Sequence, residues 1–292
     1  MREFAEFIMQ RRSRALGACA LFAVLPFLHW VAVAVVALVL LRRGLPEGAL
    51  ALLFAGVPLL GWYLFNPLAT QAGISDPSTL MALLGTFCLA GVLRTTLSWE
   101  VTLGAAVLVG AAFGIGFQYL AGSMLDEYVK LFMELLKKIK QQMSVEEVRY
   151  MVVGYFAMGE SYGMVASLVL ARWWQSLLYN PGGFQKEFHG LRLPKAVSTG
   201  LLGLMLLVYL TGDAAYMRWI PVLTMPMVIC AMGLVHWLVK QRELNAGWLV
   251  SFYILLIGMS QLVYPLVAAA ALLDSWVDIR RKFETDKHDD EV

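Results

Sequence analysis

The sequence predicts an all-α fold, a polytopic transmembrane helical bundle, and three observations carry that expectation. Of 292 residues, 60% are hydrophobic and only 15% charged, with a mean hydropathy of +0.68; a water-soluble domain carries about 25% charged residues. The charges are gathered into short patches between eight uncharged runs: 15–41, 48–75, 77–93, 101–125, 150–171 apart from Glu160, 196–212, 219–239 and 244–273. Each is close to the roughly 20 apolar residues that a helix needs to cross hydrocarbon. The connections Arg42–Glu47, Asn66–Ser78 and Arg94–Trp99 are too short for an inserted soluble domain, so residues 1–292 read as a single integral membrane domain. This composition excludes an ordinary soluble enzyme and a disordered chain, and three cysteines exclude a disulfide-stapled secreted domain. A net charge of +2 offers no basic field for nucleic acid.

Residues 1–14 read as a cytoplasmic segment in which Phe4, Phe7, Ile8 and Met9, with Arg2, Glu3 and Glu6, suit a short helix at the membrane interface. Arg11, Arg12 and Arg14 then precede an apolar run that resembles a secretory signal. At 27 residues the run is about twice a signal core and ends without a small-residue cleavage site, so a retained anchor is expected. Leu16-Gly17-Ala18-Cys19 opens this run instead of following it, which argues against a lipidation site. Gly110 and Gly114 form a GxxxG pair suited to close helix packing.

The longer polar stretch follows. Leu125, Tyr128, Val129, Phe132, Leu136, Ile139 and Met143 recur at three- and four-residue spacing opposite Asp126, Glu127, Lys130, Glu134, Lys137, Lys138 and Lys140, predicting an amphipathic interfacial helix over 122–144. Ser144 and Glu147 make a capping box that starts the next helix. Pro221 and Pro226 predict a kink after Asp213 and Arg218. Trp62, Trp99, Trp173, Trp174, Trp219, Trp237, Trp248 and Trp276 fall near run ends, as interface anchors do, and 283–292 reads as a disordered polar tail.

Lys and Arg set the orientation. With eight full crossings and a cytoplasmic N-terminus, 14 basic residues lie inside and 9 outside. The first and last runs are the longest and contain Pro26 and Pro265. If both are broken or re-entrant, six spans remain and the count becomes 17 inside to 6 outside. Both arrangements place the termini in the cytoplasm and disagree about the loop 180–196. The second also predicts a cavity, because non-helical backbone at membrane depth must be covered by protein or line water.

Glu160 is the leading candidate site residue. It lies 11 residues after Arg149 and 12 before Arg172, mid-way along a helix about 34 Å long. An ionised carboxylate there costs several kcal/mol unless it is paired or wet. Tyr155, Ser161 and Tyr162 offer hydroxyls beside it, and Gly154, Gly159 and Gly163 leave room for a ligand or backbone. The two readings are a ligand-binding or proton-coupling carboxylate, and a structural hydrogen bond between helices. Gln118 and Gln261 are further candidates, with cross-helix hydrogen bonding as the plainer account. His29 reads as a core histidine. Cys19, Cys88 and Cys230 read as small apolar residues, without metal-ligand spacing. Gly159-Glu160-Ser161-Tyr162-Gly163 matches G-x-S-x-G, but that pattern needs a strand-to-helix turn and here lies in an apolar helix. No phosphate-binding glycine loop, dinucleotide fingerprint or H-E-x-x-H occurs. The expectation is therefore a non-enzyme with no catalytic residue, no metal and no cofactor.

At Arg42-Arg43-Gly44, Arg172-Trp173-Trp174, Glu187-Phe188-His189-Gly190-Leu191-Arg192-Leu193-Pro194 and Leu273-Asp274-Ser275-Trp276-Val277-Asp278-Ile279-Arg280-Arg281 the chain resembles the YybS-like bacterial membrane proteins. The resemblance covers nearly the whole chain and implies a bacterial inner-membrane protein. That family is distantly similar to the substrate-binding subunits of energy-coupling-factor vitamin transporters, which are six-helix bundles. The extra segments and the amphipathic helix depart from that pattern and leave vitamin specificity open. The functional expectation is a transport-related bundle with a small-molecule pocket, working with a transporter module or other membrane protein partner in the lipid bilayer. The alternative is a structural or assembly protein that binds another protein or anionic lipid.

Overall fold

Long apolar runs satisfy their backbone N–H and C=O groups within themselves by coiling into helices, and the described residues hold helices and no strand. The computed structural model describes residues 1–25, 27–65 and 78–283. Pro26, most of the Asn66–Ser78 connection and nearly all of the expected tail at 283–292 lie outside them.

The helices group into two compact units, Met1–Phe184 and Gln185–Val292. The first contains α1 (Arg2–Gln10), α2 (Arg12–Val24), α3 (His29–Arg43), α4 (Leu45–Phe65), α5 (Ser78–Thr96), α6 (Trp99–Leu120), α7 (Gly122–Lys138) and α8 (Val145–Tyr179). After α9 (Gly183–Gly190), which carries the chain across the boundary, the second contains α10 (Lys195–Thr211), α11 (Ala214–Met217), α12 (Ile220–Gln241), α13 (Gly247–Gly258) and α14 (Ser260–Val277).

Among the described residues, five stretches are helical, long and apolar enough to cross a membrane: α5, α6, α8, Ala214–Gln241 and α14; α9 and α10, bent by 54°, make a sixth if taken as one span. The eight uncharged runs map unevenly onto them. Run 15–41 is divided into α2 and α3, whose 13 and 15 residues reach only about 20 and 22 Å. Run 244–273 is divided at Met259, six residues ahead of Pro265, which lies within α14. Pro221 sits in the first turn of α12, where its missing N–H costs no helical bond, and Pro226 lies inside the helix.

In the first unit α3 is the core. All its residues from Val31 to Leu41 are buried, because α2, α4, α5 and α8 surround it. A helix that is apolar all round must be enclosed by protein, as here, or by lipid. Arg12 at the start of α2 pairs with Glu47 at the start of α4, at 3.0 Å, and α4 follows α3 across the single residue Gly44. The start of α2 and the end of α3 therefore share one end of the unit, and the two helices form an antiparallel hairpin. α1 folds back on α2 and α8, its Phe4 ring edge-on to Trp174 at 5.6 Å.

α6 and α8 run antiparallel. Ser161 bonds to Ala106, Phe117 stacks on Phe156 at 4.0 Å, and Trp99 meets Phe184. Gly110 makes this approach possible: a Cβ there would overlap the Ser161 hydroxyl and lie 2.9 Å from the Ala157 carbonyl oxygen. The capping box forms as the sequence predicts, with the Ser144 N–H donating to Glu147 at 2.7 Å and the Glu147 N–H to Ser144 Oγ at 3.2 Å. α7 buries Leu125 and Val129 and exposes its lysines, and Arg149 at the start of α8 pairs with Asp126 of α7 at 2.6 Å.

In the second unit α12 packs along α14. Thr224 meets Tyr264 near their first turns, and Ser275 of α14 donates to the Leu193 carbonyl at 2.6 Å. α13 starts just after α12 and places Tyr253 against His236. α13 thus leaves the end of the unit that holds Lys240, and α14 returns to it. Large apolar side chains project outward from both units, among them Leu53, Leu108, Leu207 and Ile257, which is the surface that lipid would cover.

Candidate functional site

Glu160 lies on α8, the helix against which α1, α3, α5, α6 and α7 all pack, and it is buried at 8% exposure. Three contacts set its depth. Gln175 of α8 donates to the Leu41 carbonyl of α3, Arg42 lies 4.0 Å over the Tyr179 ring, and Arg94 of α5 donates to the Leu40 and Leu41 carbonyls. The last turns of α3, α5 and α8 are therefore level and parallel, and the orphan carbonyls at the end of α3 are capped by side chains from its neighbours. Counting back at 1.5 Å per residue, His29 lies about 18 Å and Glu160 about 22 Å below that level. The break between α2 and α3 falls at the depth of Glu160. There Phe27 adopts a left-handed φ of 62° as the chain turns.

Ser161 is fully buried, and its hydroxyl is committed to the Ala157 carbonyl at 2.9 Å and the Ala106 carbonyl at 3.2 Å. It ties α8 to α6, and the surrounding G-x-S-x-G match is mid-helix. Tyr155 is exposed on another face, five residues and about 140° around the helix from Glu160, and Tyr162 is half-buried on the side away from it. Added Cβ atoms at Gly159 and Gly163 would meet nothing within 4 Å, so these two glycines do not mark a close approach. Gln118 is half-buried on α6, and Gln261 is exposed on α14 in the other unit. Of the residues singled out from the sequence, the structure thus buries Glu160 and Ser161 together and leaves the others apart.

Sequence reasoning passed over Thr86. It sits on α5 beside Gly85, where a Cβ would collide with Met164 of α8. Thr86 is fully buried and its hydroxyl has no hydrogen-bond partner among the described residues. Level with Met164, it lies about one turn from the depth of Glu160. A buried hydroxyl left unsatisfied is a place where water or a ligand atom can complete the bond. A lone threonine in an apolar run carries no periodic or charge signal, so only packing reveals it.

The second unit contains a polar junction at one end. Asp274, 1% exposed, pairs with Arg280 at 3.2 Å and accepts from the Ile279 N–H. Arg280 in turn donates to the carbonyls of His189 and Leu191. Arg192 pairs with Asp278 at 2.5 Å, which holds that carboxyl below the usual range and raises the guanidinium. The stretches 187–194 and 273–281, both quoted above for the family resemblance, are therefore clamped together. Among the described residues no group of three or more His, Cys, Asp or Glu side chains is arranged to hold a metal ion.

No family model matches the chain, and neither a curated protein nor a solved structure matches it.

Proposed function

We propose that this chain is a transport-related protein of the bacterial inner membrane that binds a small molecule within its first unit, at the depth of Glu160. The observation that carries the reading is the coincidence in depth of a buried carboxylate, an unsatisfied buried hydroxyl on Thr86 and the break between α2 and α3. Broken helices whose ends meet ionisable groups at mid-membrane are the device by which many secondary transporters hold substrates and coupling ions. Non-helical backbone at that depth needs a covering partner or a water-filled cavity, which a ligand site supplies.

In this reading α4, α5, α6, α8, α10 and α12 cross the membrane, while α2–α3 and α13–α14 enter and return on the same side. That is the arrangement with 17 basic residues inside and 6 outside, and it puts both termini and the loop 180–196 in the cytoplasm. Six spans between two broken terminal runs also accommodate membership of the YybS-like family. With no nucleotide-binding motif, transport by this chain requires a partner module.

The test is native mass spectrometry of gently extracted protein. The wild type is expected to retain a small molecule or a transporter subunit, and Glu160→Gln to lose the small molecule at an unchanged protein level. Recovery of a stable non-transport partner with no small molecule would instead support the assembly reading.

A further inference from the structure

The second unit holds a cluster of basic and hydroxyl side chains that the reading above does not use. It forms where α9 lies against α12. Gly233 makes that approach possible, since a Cβ on it would collide with the Phe188 carbonyl oxygen. The contact places the His189 ring 6.4 Å from the His236 ring, with Phe188 edge-on to His236 at 5.4 Å. Tyr253 of α13 closes one side, its hydroxyl 2.9 Å from His236 Nε2. Lys240, one turn further along α12, reaches Gln185 of α9 at 3.1 Å and is exposed.

We infer that this cluster of His189, His236, Lys240 and Tyr253 is a binding site for a phosphate group. The nearby charges divide cleanly. Arg280 is committed to Asp274 and two carbonyls, and Arg192 to Asp278. Lys186 and Glu187 are on α9 itself. Burial holds the pKa of His189 below the ordinary histidine value, and His236, Lys240 and Arg280 push it the same way. Two imidazoles and an ammonium grouped in this way repel one another once protonated, and a multiply charged oxyanion among them stabilises the protonated set, because phosphate accepts several charge-assisted hydrogen bonds at once. Half-burial of His189, His236 and Tyr253 strengthens their share of these bonds relative to open water. The phosphate could belong to a lipid headgroup or be free in solution, because the cluster lies at the end of α12, where a membrane-spanning helix meets headgroups.

The experiment follows the His189 ring by NMR in full-length protein in maltoside micelles, with its resonance assigned from the His189→Gln spectrum. Inorganic phosphate is added in one arm and phosphatidylglycerol in the other, against sodium chloride at matched ionic strength. The expected result is a rise of about one pH unit in the His189 midpoint, a tenfold preference for the charged ring, and its loss in Lys240→Gln. A rise with inorganic phosphate identifies a free ligand; a rise with the lipid alone identifies a headgroup. A midpoint that stays put in both arms, or moves equally with chloride, overturns the proposal. The site is independent of Glu160, so either result leaves the reading of the first unit unaffected.

Discussion

At Gly110 a single methyl group is too much. The Cβ of an alanine there would overlap the Ser161 hydroxyl and press on the Ala157 carbonyl at 2.9 Å, and backbone cannot yield as a side-chain end can. Gly110→Ala is expected to cost about 1–3 kcal/mol in reversible unfolding from micelles, whereas Gly104→Ala, with nothing within 4 Å, is neutral or slightly stabilising. The buried Asp274–Arg280 pair gives a second prediction. Asp274→Asn leaves the guanidinium buried without its countercharge and is expected to cost about 3–5 kcal/mol, while the double change Asp274→Leu with Arg280→Met recovers much of the loss. Thermal unfolding of the four variants measures both. Glu160 and Ser161 look alike in the sequence, as polar neighbours in an apolar helix. Their roles part only through rotation, since 100° along α8 turns Ser161 to the Ala106 carbonyl of α6.

Helix boundaries were legible wherever local chemistry decides them. Ser144 and Glu147 stop and restart the chain through their own backbone, so the capping box could be read off four residues. It also makes a pH prediction. The Ser144 N–H and hydroxyl hold the Glu147 carboxyl below its ordinary value of 4.5, so the contribution is fully present above that pH and is lost as pH falls through the lowered value. Acid unfolding of Glu147→Gln is expected to show a flatter limb in this window, and Ser144→Ala to cost about 0.5–2 kcal/mol at neutral pH. The break in run 244–273 was less legible. The sequence points to Pro265, yet the chain parts at Met259: Pro265 lies inside α14, where its missing N–H leaves the Gln261 carbonyl without its helical donor, and the break falls six residues ahead of it. The splitting of run 15–41 leaves α3 too short to cross but fully enclosed, a state that hydropathy alone cannot distinguish from a span.

For the whole molecule, the testable consequence is sidedness. In a Cys88→Ser background, Lys186→Cys is expected to react with an impermeant maleimide only in inverted vesicles, and Lys137→Cys only in right-side-out ones. Labelling of both from the same side would refute six spans with two returning hairpins. Basic residues alone left this open, because a count of 14 to 9 or 17 to 6 depends on whether the terminal runs cross. The salt bridge from Arg12 to Glu47 decides the geometry of the first run by bringing the start of α2 beside the end of α3.

What composition and charge spacing determined unaided was the helical class and the presence of helices apolar and long enough to cross a membrane, since both follow from the length of the uncharged runs and 1.5 Å of rise per residue. Tertiary packing alone decided the two units, the hairpins, the buried Thr86 hydroxyl and the meeting of His189 with His236. These join residues between 17 and more than 80 positions apart through glycine contacts and side-chain caps, and linear periodicity carries no information about which faces meet.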